Sequence, residues 1–408
     1  MSLHAFRVPM TPALRLAASV CAVGAGLLLA LVLGLDDVPA SPFYMTAVST
    51  LLAVGLYGSA SGIPAEALRD VRRVVVAVTV GVLLKALLIA GAMYVFHPHP
   101  ASLLLGVAVA QIDPLSVAAM TRNSQMSRRA KALLLAWASF DDPITALLTV
   151  YLSVFALRGM AEGAVTSPLD GEVGGYVADL GLNVLFAAGG WVIWRLLKKW
   201  NPAPAVFRAV SVVLLVALIA VAVWQFLILG VALLGLFYRP PLGAALDRLI
   251  TAAFYLAAFA LGMLLLGGVD LAAGAVLGGA AFLAQVLVGG VLIAPRRMGV
   301  TDRVYLALGQ QNGLTAIVLV LSLQPAFPQA IAAVAPAILL VNVLHLVLNG
   351  VWDMRERIPG WLLRVRDSRE RPGLARVARV TGVTHVAERA SERLETALEK
   401  ESGDSREW

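Results

Sequence analysis

Apolar runs long enough to cross a lipid bilayer recur from one end of this chain to the other. A hydrocarbon core is roughly 30 Å thick and takes about 20 helical residues to cross. Backbone groups find no water there, so a spanning segment is a helix or a strand of a closed barrel. Barrel strands alternate in polarity over about ten residues. These runs are continuously apolar, which makes the chain an all-α polytopic membrane protein. Only 14% of its residues are charged, where a soluble domain has about a quarter.

Twelve spans are expected, near 13–34, 42–60, 72–96, 101–121, 130–157, 177–197, 206–222, 224–239, 248–267, 271–294, 303–322 and 330–351. The seventh and eighth nearly touch at Ala222–Gln225. Residues 1–351 then form a transmembrane domain, and 352–408 an Arg-rich, charged tail outside the membrane. Arg7 and Arg15 precede the first run, but it is long for a signal peptide and reads as a retained span.

The net charge of +7 does not point to nucleic acid. Sixteen basic residues fall in the loops after even-numbered spans, against only Arg158 after odd-numbered ones. That asymmetry is how topology is written in a bacterial inner membrane, and it places both termini and the loops 61–71 and 122–129 in the cytoplasm. The single cysteine, Cys21, excludes an internal disulfide or a thiolate metal cluster.

Ionisable residues inside spans cost about 2.5–3.5 kcal/mol each and mark function by default. The chain has Lys85, Asp113, Asp141 and Asp142. Three carboxylates cannot all be paired by one lysine. On a helix, Asp142 shares a small, hydroxylated face with Ala138, Ser139, Thr145, Ala146 and Thr149. Asp141 is rotated by about 100° toward the edge of that face. Pro143 has no N–H, so the carbonyl of Ser139 loses its helical partner and becomes a candidate cation ligand. Pro114 does the same for Ala110. Gly309-Gln310-Gln311-Asn312-Gly313 does not suit a smooth helix, and unwound backbone at membrane depth is tolerated only within protein or along a cavity.

Lys85, Asp113 and Asp142 lie 28 and 29 residues apart; Gln285, Asn312 and Asn342 lie 27 and 30 apart. The two sets are an odd number of spans apart and run in opposite directions. They predict two inverted repeats, about 72–157 and 271–351, whose discontinuous helices cross at the midplane of a secondary transporter.

Ala110-Gln111-Ile112-Asp113-Pro114 and Ser139-Phe140-Asp141-Asp142-Pro143, with the glycine-interrupted Gly309–Leu321, resemble the motifs of the monovalent cation/proton antiporter superfamily. The resemblance implies a homodimer with elevator-like alternating access and no cofactor. It gives the ion- and proton-binding role to Asp142, an accessory role to Asp141 and a cavity role to Asp113. The paired aspartates resemble the electrogenic branch. There are departures: Ile112 replaces a threonine, Gln285 stands where a basic residue is usual, and Asn312-Gly313 where an arginine or glutamate is frequent. Lys85, at the mirror position of Gln285, is expected to supply the missing basic group by pairing with Asp113 or Asp142.

The expected function is secondary antiport of a monovalent cation, sodium foremost, against protons. Both compete for hard carboxylate oxygens, helped by the Ser139 carbonyl and the Thr145 hydroxyl. No metal beyond the transported alkali cation is expected. A sodium-coupled symporter of an organic anion is the alternative on the same scaffold. An intramembrane aspartyl protease would need a Gly-x-Gly-Asp motif, which is absent. His97-Pro98-His99-Pro100 reads as a loop, and His345 as a polar packing residue or a pH-sensing one.

Overall fold

With lipid outside, each spanning run must bond its own backbone N–H and C=O groups. The computed structural model describes residues 12–357 except 36, 64–74, 163–172, 201–202, 294–297, 310 and 312. Its helices are α1 (Pro12–Leu33), α2 (Tyr44–Ser61), α3 (Val82–Phe96), α4 (Pro100–Ala108), α5 (Pro114–Asn123), α6 (Arg128–Glu162) and α7 (Val173–Trp200). The rest are α8 (Pro204–Trp224), α9 (Ile228–Gly235), α10 (Ala244–Met263), α11 (Leu271–Leu287), α12 (Val300–Ala307), α13 (Leu314–Leu323) and α14 (Ala330–Arg357). No strand occurs among the described residues. One isolated antiparallel bridge joins Ile112 to Gln311. Eight of the described helices are long and apolar enough to cross a membrane.

Helix lies within each of the twelve expected spans, but the eighth is cut short. Expected over 224–239, it is helical only at Ile228–Gly235. The tight turn before it explains the loss. Leu227 N–H bonds to the Ala222 carbonyl at 2.7 Å and Phe226 N–H to that of Val223 at 3.4 Å. This is a Schellman closure, with Phe226 at φ 56° in the left-handed position where glycine is usual. No glycine or proline in the sequence announces it.

Spans four and eleven are each broken, as expected, into α4/α5 and α12/α13. A shift of 200 residues carries one broken pair onto the other: α5 and α13 begin at Pro114 and Leu314 and end at Asn123 and Leu323. The packing repeats with the same shift. A Cβ at Gly106 would overlap the Ala90 backbone, and one at Gly289 would overlap the Leu306 carbonyl. The close approach is the same in both halves, but the glycine that permits it has changed helices. This register sets Asp113 opposite Gly313, one residue beyond Asn312, which lies outside the described residues.

Outside the repeats, α1 lies against α10 with backbone on backbone. A Cβ at Gly26 would overlap the Phe259 carbonyl, and one at Gly262 the Val23 carbonyl. Small residues at such seams let membrane helices approach closely. Gly262→Leu should therefore separate α1 from α10 and cost about 1–3 kcal/mol, the usual range for overpacking. A lower unfolding temperature in detergent would register it; an unchanged one would show that the seam is not stabilising.

The chain divides into residues 1–349 and 350–408. In the second unit the described residues, 350–357, are helical, with Arg355 stacked 5.4 Å from the Trp352 ring centre. Most of the charged tail and of the loop 61–71 lies outside the described residues.

Candidate functional site

Burial locates the centre. In the most apolar 18-residue stretch within Arg128–Thr149 of α6, 61% of the residues are buried, against 17% in the corresponding stretch of α8. α8 is apolar because its environment is lipid; α6 can carry Asp141 and Asp142 because its environment is protein.

The two acids have different partners. Asp141 is fully buried. Its Oδ2 lies 2.6 Å from Lys85 Nζ and accepts the Ile112 N–H at 2.9 Å. Its Oδ1 has no hydrogen-bond partner among the described residues. Lys85, also fully buried, donates to Gln285 Oε1 at 3.3 Å and sits 5.3 Å from the Trp137 ring centre, within reach of a cation–π contact. Lys85 therefore pairs with Asp141, not with Asp113 or Asp142 as expected. Asp141 is thus engaged on the side facing α3, in an ion pair buried on both sides. Helical rotation orients it relative to its own helix but cannot show that α3 lies on that side.

Asp142 accepts two hydroxyl hydrogen bonds on Oδ2, from Ser59 at 2.5 Å and Thr315 at 2.9 Å. Among the described residues no cationic side chain pairs with it. Thr145 is buried, but its hydroxyl proton is directed at its own helix, with the Asp141 carbonyl 2.8 Å away and that of Asp142 the alternative acceptor at 3.1 Å. Any ligation by Thr145 would use its remaining lone pairs. Ser139 is buried one turn before Pro143, inside an uninterrupted α6.

Asp113 is the residue before α5. Its Oδ2 accepts the Ser116 N–H at 3.1 Å and the Ser116 hydroxyl, an N-cap that satisfies a half-helix's free amide. Pro114 is thus the first residue of α5, where a missing N–H costs nothing. Ala110 lies in the unwound stretch between α4 and α5, so its carbonyl lacks a helical partner because the chain is unwound there, not because Pro114 interrupts a helix. The Asp113 carboxylate lies against Gly313, where a side chain would collide with it. The carbonyl ends of the facing half-helices are capped by amides, Gln111 on Ala108 at 2.9 Å and Gln285 on Leu306 at 3.0 Å.

Three near-equivalent pairs meet: Lys85 with Gln285, Asp113 with Gly313, Ile112 with Gln311. Residues related by a two-fold touch only beside its axis, so the acid pair sits at the pseudo-axis where the broken helices cross. Gln311 is fully buried, its Oε1 3.4 Å from His345 Nε2. Phe282 packs edge-on to His345 at 5.2 Å. Asn342 is half-buried on α14. His99 caps α4 through Nδ1, 3.2 Å from the Ala101 N–H.

Ser59 and Thr315 were not anticipated. A lone serine in an apolar span is common and carries no signal. Thr315 was discoverable, since it is the first hydroxyl after the glycine-interrupted stretch.

No protein-family model and no curated protein matches this sequence. Solved structures do. The sodium proton antiporter MjNhaP1 from Methanocaldococcus jannaschii, at pH 8, is similar with a TM-score of 0.54 and 17% identity, over 83% of this chain and 97% of that one. An electron-microscopy structure of the same antiporter gives 0.51 and 18%, over 84% and 94%. The chain is a multi-pass, all-α membrane protein with a cation/proton antiporter-like fold.

Proposed function

We propose that this protein exchanges a monovalent cation, sodium foremost, for protons by alternating access. One observation carries the reading: of two adjacent buried carboxylates, Asp141 is balanced by Lys85, while among the described residues Asp142 is held by hydroxyls alone. An isolated buried carboxylate costs several kcal/mol, so Asp142 has two inexpensive states, protonated or cation-bound. A site that must hold one or the other exchanges them when it faces each side in turn. Ser139, Pro143, Thr145, Asp113 and the amides of Gln111, Gln285 and Gln311 shape the cavity. The similarity to a sodium proton antiporter supports the same reading. The test is dequenching of a pH-sensitive dye in energised everted vesicles on adding sodium, potassium or lithium. Absence of a response to all three would overturn it.

The proposal includes a bacterial inner membrane, a homodimer and both termini on the cytoplasmic side. The repeats comprise about 72–157 and 271–351, and the tail 352–408. Orientation rests on the charge asymmetry of the loops. A cysteine at Ser124, in a Cys21→Ser background, should resist an impermeant thiol reagent added from outside whole cells. Ready external labelling would reverse the topology.

A further inference from the structure

Ser59 stands on α2, outside both repeats, yet it reaches the most important carboxylate. Its Oγ lies 2.5 Å from Asp142 Oδ2 and 3.0 Å from the Gly55 carbonyl one turn back. A hydroxyl has one proton and two lone pairs. It can serve only one of these acceptors at a time. An ionised carboxylate is the stronger acceptor, since a charge-assisted bond is roughly twice as strong as a neutral one. When a proton or a cation neutralises Asp142, that advantage disappears. The Ser59 proton then turns to Gly55, and the oxygen presents its lone pairs to whatever occupies the carboxylate. Thr315 differs: among the described residues its hydroxyl bonds only to Asp142 Oδ2.

We propose that Ser59 is a ligand of the transported cation, its hydroxyl proton moving between Asp142 in the empty site and the Gly55 carbonyl in the loaded one. The proposal rests on the antiport reading above and adds a selectivity-determining oxygen to it. Serine oxygen is a hard donor suited to an alkali cation, whereas a thiol favours soft ions.

The experiment measures half-saturating cation concentrations in proteoliposomes at fixed pH for the wild type, Ser59→Ala and Ser59→Cys, with sodium and with thallium(I). Ser59→Ala should raise the half-saturating sodium concentration roughly tenfold, as expected for one charge-assisted contact, while the maximal rate stays within about twofold. Ser59→Cys should weaken sodium but not the softer thallium(I), a distinction that a packing defect would not make. If Ser59→Ala does not fold, the sodium–thallium comparison in Ser59→Cys decides. Wild-type half-saturation in Ser59→Ala, or parallel shifts for both ions in Ser59→Cys, would overturn the proposal alone. No exchange by the wild type would remove the antiport reading and this inference with it.

Discussion

Asp142→Asn should abolish exchange while leaving the protein inserted and folded. Asparagine keeps the shape of the side chain and a carbonyl oxygen to accept from Ser59 and Thr315. It removes the charge for which a cation and a proton compete. At an effective dielectric constant of about 20, two unit charges about 4 Å apart attract by roughly 4 kcal/mol, nearly three orders of magnitude in occupancy. The adjacent Asp141 does not replace that charge, because its carboxylate is already engaged by Lys85 at 2.6 Å. Flux in proteoliposomes, with size-exclusion behaviour as the folding control, checks both halves. Wild-type exchange in Asp142→Asn would refute the antiport mechanism.

The second large effect lies in the adjacent pair. Lys85→Met should destabilise the protein by about 3–5 kcal/mol, because it leaves Asp141 charged, buried and unpaired. Asp141→Leu added to Lys85→Met should restore most of the loss, since an apolar pair costs no ion desolvation. Thermal unfolding of the two variants in detergent measures this. A Lys85→Met protein as stable as the wild type would show that the ion pair is not structural. The gentler Lys85→Gln keeps a hydrogen-bonding group but removes the charge favouring ionised Asp141, so the pH profile of exchange should move. The same geometry changes the expectation for Asp141→Asn. Judged from the helix face alone, it is the milder of the two acid substitutions. With Lys85 fully buried beside it, Asp141→Asn strands a cation in the core.

The sequence by itself determined the class and the paired helix breaks that make the pseudo-symmetry. These are legible because lipid imposes a minimum length on every span and because Asp-Pro and Gly-Gln-Gln-Asn-Gly interrupt otherwise smooth helices. It also identified Asp141 and Asp142, since a carboxylate at membrane depth is too costly to be incidental.

Only the tertiary structure decided which acid is balanced. Lys85 is 56 residues from Asp141, and helical periodicity says which way each side chain faces on its own helix, not which helix lies opposite. For the same reason Ser59, 83 residues from Asp142, and Thr315, 173 away, could not be joined to the site from the chain alone. The short α9 was hidden as well, because a left-handed Phe226 closes α8 where the sequence offers no glycine. Local signals are written in covalent geometry and in the solvent each residue tolerates. Partnerships across helices depend on how the helices pack, and that packing leaves one of two adjacent carboxylates without a cationic partner among the described residues.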